Sequence, residues 1–427
     1  MPSEETRRRA MPLAARFGVT RVTDITGLDR VGIPVSSAIV PRSNDAIGVY
    51  NGKGLRQEDA MTGALMEAIE RQAAIRARPP MITAATAELR KHENILEPER
   101  LLPRLGDNWS DQRRYEWVEG FDLVTEQAVW VPAGAAGLRW AHLGGGSPYR
   151  YNTSHGLASG NTLEEAVSQA LCEWVERDSW TLADLAGYWK PRAIAEKLAG
   201  CNPENDFLDD LEFAPSIDLD GLTGPVEVLL RRFRRAGLEP MVRDITSDTS
   251  IPAVVAGVTE DDVPGFPQVH LGVGCHPDLR VAVSRALTEV AQSRCVDIQG
   301  VREDLSDAEG FGALGSTGVS HHTRRAKSID RRRWQIVPSV RRRSWREIPS
   351  FQSNDIMQEL RWMIAQLQRV GIRQIVAVDL SPADTGLSTV RVLVPGLEVW
   401  VLDHGRLGER AAAFWRKLME PAEASYA

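Results

Sequence analysis

The chain has 427 residues, is 43% hydrophobic and 26% charged, and carries a formal net charge of −7. That balance gives no reason to expect nucleic-acid binding, and the lack of any run of about 20 apolar residues argues against a membrane span. The polar start MPSEETRRRA is no signal peptide and the four cysteines form no C-x-x-C pair, so a reduced, cytoplasmic protein is expected.

Residues 1–17 read as a loose or helical lead. Arg114–Pro132 alternates in hydropathy and breaks at Thr125-Glu126-Gln127, which predicts a β-hairpin. The glycine-rich stretch 141–148 (AHLGGGSP) reads as a loop. Pro225–Ala236 has proline in its first turn and Gly237 just past its end, the usual asymmetry of a helix. Strands are expected at Pro240–Ser247 and Ile251–Val258. Thr323–Arg346 is rich in arginine, with Trp334 and Trp345 interleaved. It suits an acidic peptide, a partner protein or RNA, and equally a solvated edge whose arginine stems lie over the tryptophans. A helix over Ile356–Val370 ends at Gly371 and precedes strands Gln374–Leu380 and Val390–Val394. These elements give an α+β class with mixed sheets.

Three segments share the pattern A-x-x-x-A-L-x-E-x-x-[E/Q]. They begin at Ala60, Ala166 and Ala282, and each follows a glycine-bearing stretch (GVYNGKG, GLASGNT, GVGCHPD). Residues three and four apart share one helical face. Gly63, Glu67 and Glu70 therefore form one polar stripe, Gln169, Glu173 and Glu176 a second, and Arg285, Glu289 and Gln292 a third. The alanines at the first and fifth positions keep one flank thin enough for helices to approach. A single E-x-x-E is best read as a solvated acidic face, but three copies in one frame point to a shared site. Crowded carboxylates require a compensating cation, and Mg²⁺ is commonly held by one or two carboxylates together with substrate phosphates. The glycine stretches suit a polyphosphate at helix starts, with Lys53 and Arg285 as counter-charges. No Walker A loop or H-E-x-x-H is present, and a di-iron bundle would need E-x-x-H on two helices.

These segments are what make the chain resemble the YcaO family. The likeness rests on Asn51–Gly54 (NGKG) with ALMEAIER, Ser154–Ala166 with ALCEWVERD, Ser284–Arg294, and Val390–Trp400. The lead Val19–Pro41 resembles the branch associated with TfuA-type partners. The resemblance implies one large YcaO domain over 46–410, between a lead at 1–45 and a tail at 411–427, with three acidic helices lining a nucleotide site. It implies activation of a backbone amide in a ribosomally made peptide or protein, with ATP and Mg²⁺ as cofactors, and a homodimer. The implied nucleotide-site residues are Lys53, Glu67, Glu70, Arg71, Glu173, Glu176, Arg177, Arg285, Glu289 and Gln292, with Glu67, Glu70, Glu173, Glu176 and Glu289 as metal ligands. Arg294 matches a family position too.

The chain departs from the family at Gly63, commonly Ser, and at Ser154-His155-Gly156, commonly S-N-G. Its end, EPAEASYA, lacks the P-x-P-x-P of many azoline-forming members, which places thioamide formation with a TfuA-like sulfur-delivery partner ahead of azoline formation. The other readings are an azoline cyclodehydratase and a nucleotide-binding accessory protein without turnover. About fifty residues before NGKG are too few for a leader-binding domain. His155, His276 and a carboxylate near the tail are candidate general bases, none singled out. His321-His322 is expected to bind no metal, and Cys172 to act as a small buried hydrophobe.

Overall fold

The computed structural model describes residues 1–45, 47–101, 109–138, 140, 143, 146–149, 153–199, 209–260, 268–300, 333–399 and 407–424. Cys201, His321-His322, residues 323–332 and half of the 141–148 loop lie outside them.

Three sheets organise the described residues. The first is the antiparallel set β1 (Arg21–Asp24), β2 (Val35–Ile39) and β3 (Val49–Lys53), in that order. The second contains β4 (Met81–Ala85), β5 (Arg114–Asp122), β6 (Gln127–Pro132), β7 (Leu157–Gly160), β13 (Val376–Asp379) and β14 (Ser388–Leu393). Its order is β4-β5-β13-β14-β7, with β6 paired to β5. The third contains β8 (Ser216–Asp218), β9 (Met241–Asp244), β10 (Ala253–Glu260), β11 (Gln268–Cys275) and β12 (Arg342–Ser344), in the order β11-β10-β9-β8-β12. Only the β8–β12 pairing is parallel among the described strands, so the expected mixed α+β class holds.

The helices in chain order are α1 (Ser3–Ala10), α2 (Gln57–Arg76), the short α3 (Thr86–Leu89) and α4 (Ala133–Ala136), α5 (Leu163–Asp184), α6 (Lys190–Ala199), α7 (Pro225–Arg235) and α8 (Leu279–Gly300). Three more among the described residues span Arg333–Ile336, Ile356–Arg369 and Glu409–Ala424. α2, α5 and α8 carry the three repeats. The expected hairpin is β5–β6, turning through Glu126 at φ 57°. α7 ends as its sequence predicts, with Gly237 at φ 74° in the left-handed region that glycine tolerates. The strand expected over Pro240–Ser247 stops at Asp244 because its carboxylate accepts the Thr246 amide (2.9 Å), an Asx turn that bends the chain away.

Apolar burial mounts each repeat helix on a different sheet. Leu171, Trp174 and Val175 of α5 join Val273 of β11 and Val390 and Val392 of β14 in one core. Leu287 and Val290 of α8 pack with Leu229 and Phe233 of α7, and Leu65 and Ile69 of α2 pack with Tyr50 of β3. Cys172 is buried beside Met363, as expected of a small hydrophobe. The two tryptophans of the arginine-rich segment differ. Trp334 is wholly buried in the core, whereas Trp345 is half-buried beneath the Arg346 guanidinium, 4.5 Å from its ring. The lead is tied down: Ser3 donates to Asp59 of α2 (2.7 Å), and Asn161, just before α5, donates to Thr6 (2.9 Å).

Candidate active site

Each repeat is a strand followed by a helix, and the pair is unusually close. A Cβ on Gly52 of β3 would overlap the Ala60 carbonyl and the Ala64 nitrogen of α2. On β11 the same holds for Gly272 against Ala286 and for Gly274 against Ala282. A Cβ on Gly160 of β7 would sit 2.8 Å from the Ala166 nitrogen. The alanines at the first and fifth repeat positions therefore admit a strand, not a second helix, which corrects the sequence expectation. The glycines serve this approach. Each helix start also carries a side-chain bond to backbone. Asp59 accepts the Arg56 amide (3.2 Å), Thr162 the Glu165 amide (3.3 Å) and Asp278 the Arg280 amide (2.9 Å).

β3, β7 and β11 are each the last strand of their sheet. Each helix also touches the strand of the next repeat: α2 meets β7, α5 meets β11 and α8 meets β3. The three units thus close into a ring, with their acid stripes facing one cleft. The first glutamate of each stripe is anchored to backbone. Glu67 accepts the Asn51 amide (3.2 Å) and Glu173 accepts the Gly156 amide (3.1 Å), and the Val273 amide helps keep Glu289 ionised. Edge-strand amides that would otherwise lack partners hold the acids in place.

All ten residues expected at the nucleotide site line this cleft. Lys53 closes the ring between the first and third repeats through an ion pair with Glu289 (2.5 Å). Arg177 lies 3.4 Å from Glu176, Arg285 donates to Gln169 (2.8 Å), and Arg71 is held by Asp45 (2.7 Å). Arg294 stands apart: it is buried in ion pairs with Asp29 (2.9 Å) and Glu260 (2.7 Å), outside the cleft lining.

The electrostatics divide the acids. Burial works against charge on Glu289, but Lys53 and Arg177 hold its carboxyl below the usual range. Glu173 is also buried against its charge, yet falls to about 2. His155, with Nδ1 3.7 Å from the carboxylate, is the largest influence holding it down, ahead of Arg177 and the Gly156 amide. Burial raises Glu67 and Glu176, and it raises Glu70 well above the usual range with help from Glu67 and Glu173. The cleft thus holds carboxylates whose full ionisation calls for more positive charge than the protein supplies. Oxygen donors of this kind fit a hard divalent cation. Among the described residues no three acids close on a single point, which suits Mg²⁺ bound by few carboxylates and completed by nucleotide phosphates. The cleft encloses about 1470 Å³, more than the roughly 300–1,000 Å³ of a small-ligand pocket, so a second reactant has room.

Several residues were not singled out by sequence. Arg391 of β14, 1% exposed, donates to the carbonyls of Thr153 (2.8 Å) and His155 (2.5 Å), fixing the loop that presents the Gly156 amide to Glu173. Burial brings its guanidinium down to about 10. An arginine inside the apolar run Val390–Val394 was the available signal. Ser159, Asn161 and Trp180 also line the cleft. His155 and His276 do not. His155 stands edge-on to Trp174 (4.2 Å) behind Glu173, and burial takes His276 to about 4.

Comparisons with known proteins identify the family and its cofactors. Residues 51–398 match the family described as YcaO cyclodehydratase, ATP- and Mg²⁺-binding. A protein of Methanothermobacter thermautotrophicus is 38% identical over 92% of this chain and 93% of its own length. A protein from the tfuA 3′ region of Rhizobium leguminosarum bv. trifolii is 34% identical over 92% of this chain and 87% of its own. The YcaO structure from Methanopyrus kandleri, bound with AMPPCP and Mg²⁺, superposes with a TM-score of 0.66 at 26% identity, covering 96% of this chain and 94% of that one. A heterocyclase in complex with substrate and cofactor shares the fold at TM-score 0.73 and 21% identity. That match covers 93% of this chain but only 52% of the heterocyclase, so this chain spans about half its length. The chain belongs to the YcaO family of ATP-dependent peptide-modifying enzymes.

Proposed function

We propose that this protein uses ATP and Mg²⁺ to phosphorylate the oxygen of a peptide backbone amide, and that it then installs sulfur there to give a thioamide. The observation that carries the reading is the ring of Glu67, Glu70, Glu173, Glu176 and Glu289 around one cleft with Lys53, Arg71, Arg177 and Arg285. Phosphoryl transfer needs positioning and charge neutralisation more than a covalent catalyst. Glu67, Glu70, Glu173, Glu176 and Glu289 are the candidate ligands for Mg²⁺, which would supply positive charge to offset the phosphates. Lys53 and the arginines would add counter-charge for the phosphates, and Gln292 would offer a neutral contact.

In the first step the amide oxygen attacks the γ-phosphorus, the O–P bond forms and ADP leaves. Hydrosulfide then adds to the activated carbon. The C–O bond breaks, phosphate departs with the former amide oxygen, and C=S replaces C=O. A TfuA-like partner would deliver the sulfur, a reading supported by the relative from a tfuA 3′ region. Azoline formation is the second reading, favoured by the cyclodehydratase description of the family. Mass spectrometry separates them on a candidate peptide encoded beside the gene, incubated with Mg-ATP, sulfide and the TfuA-like protein. A gain of about sixteen daltons marks sulfur for oxygen after activation. A loss of about eighteen marks removal of water by the same activation and overturns the thioamide reading.

A further inference from the structure

β11 is an eight-residue strand at the end of its sheet, and Leu271, Gly272 and Val273 line the cleft. Its hydrogen-bonding parity can be worked out. The His276 amide donates to the Pro252 carbonyl (3.2 Å), so even-numbered residues turn their peptide groups toward β10 and odd-numbered ones turn them outward. The Ile245 amide reaching Ala253 of β10 (3.0 Å) obeys the same alternation one strand further in.

Of the outward groups on β11, the Val273 amide lies near Glu289, whose carboxylate it helps keep ionised. The amides and carbonyls of Val269 and Leu271, and the Val273 carbonyl, pair with no other strand among the described residues. The other two cleft edges offer less. On β3 the Asn51 amide is held by Glu67, and β7 has only four residues, with the Ser159 hydroxyl bonded to Met66 of α2.

A second observation points to the same ligand. Arg177 Nε and Trp180 Nε1 are buried donors without an acceptor, and both side chains line the cleft. They lie on α5, which contacts β11, and Trp180 packs against the same apolar cluster as Val269. A buried donor left unpaired is costly, so these two await carbonyl oxygens. An open strand edge is a template for another strand. An extended polypeptide presents amides and carbonyls at the spacing such an edge requires.

We infer that the substrate peptide binds as an added strand on the outer edge of β11. Its backbone pairs with Val269, Leu271 and the Val273 carbonyl, further carbonyls meet Arg177 and Trp180, and the amide to be activated lies at the Val273 end beside Glu289. Recognition is then of backbone, with side chains contributing secondarily. The inference rests on the peptide-amide reading proposed above.

The test is hydrogen exchange by mass spectrometry on the full-length chain with Mg-AMPPCP. The probes are a mixture of random hexapeptides and the same mixture N-methylated at alternate residues. Exchange over 268–275 is expected to slow with the unmodified mixture and not with the N-methylated one. Leu271→Pro removes the outward donor without breaking a bond to β10, and should weaken that protection about tenfold, the worth of one hydrogen bond. Leu271→Ala keeps the donor and should retain the protection. Equal protection by both mixtures overturns the inference, as does none by either while AMPPCP binds. Nucleotide binding is read separately by calorimetry, and its failure strikes the proposed function instead. The N-methyl comparison on wild-type protein decides the matter even where Leu271→Pro does not fold.

Discussion

Replacing Gly52 with alanine isolates the contact on which the first acid helix is mounted. The new methyl would overlap the Ala60 carbonyl oxygen and the Ala64 nitrogen and lie 2.8 Å from the Gly63 carbonyl carbon. All three are backbone atoms, so no side chain can rotate away and β3 must part from α2. Overpacking of a filled interior costs about 1–3 kcal/mol, and a backbone obstacle puts Gly52→Ala near the top of that range. The displacement also moves Asn51 from Glu67 and Lys53 from Glu289, so Mg-ATP affinity should fall about tenfold or more. Gly63 faces Gly52 across the same contact but behaves differently. A Cβ there meets Gly52 Cα at 3.4 Å and the Lys53 nitrogen at 3.8 Å, ordinary packing distances. Alanine in place of a mid-helix glycine gains roughly 0.5–1 kcal/mol. The two touching glycines should therefore respond with opposite signs in urea unfolding, and only Gly52→Ala should lose nucleotide in calorimetry. Wild-type stability and affinity in Gly52→Ala, or equal damage in both variants, would refute the strand-on-helix account.

Glu173→Gln with Glu176→Gln should keep its circular dichroism but lose Mg-ATP binding in calorimetry. Retention of wild-type affinity would defeat the metal-cradle argument. Arg410 pairs with the fully buried Asp178 (2.9 Å), so Arg410→Ala leaves a buried carboxylate alone and should cost about 3–5 kcal/mol in unfolding. Burial raises Asp178 to about 6, although Arg410 opposes the shift. Its folded value exceeds its unfolded one, so its stabilising contribution is full at low pH and is lost as pH rises through 6. Asp178→Asn should flatten the part of the stability profile between about pH 4 and pH 6 that this group supplies. Glu173 has the opposite sign: held down to about 2, it stabilises above its unfolded value near 4.5 and loses that contribution as pH falls toward 2. Acid unfolding of Glu173→Gln should accordingly be less steep in that window.

The candidate site was legible because its chemistry is written in one frame three times. Helical spacing alone put Glu67 with Glu70 and Glu173 with Glu176 on shared faces, while the glycine stretches, read as suited to a polyphosphate, also supply the strand positions on which the helices pack. What spacing could not show was how the faces meet. The ring closure of α8 onto β3 is a long-range contact, and the Lys53–Glu289 pair joins residues more than two hundred positions apart. The alanines were seen but assigned the wrong neighbour, since a thin helical flank looks the same whether a helix or a strand lies on it. Arg391 was overlooked because an arginine in an apolar strand reveals its role only through the carbonyls around it. Arg294 followed the motif yet serves Asp29 and Glu260, showing that proximity in sequence to an acid stripe does not place a side chain in the cleft.

The central claim is that ATP is spent on the amide oxygen itself, and an isotope experiment addresses it whichever nucleophile follows. A candidate peptide encoded beside the gene, labelled with oxygen-18 in its backbone carbonyls, would be turned over with Mg-ATP and sulfide, and the released phosphate would be analysed by phosphorus NMR. The account predicts oxygen-18 in the phosphate in step with product formation. Product accompanied by unlabelled phosphate would mean that the amide oxygen never bonded to phosphorus, and would contradict it.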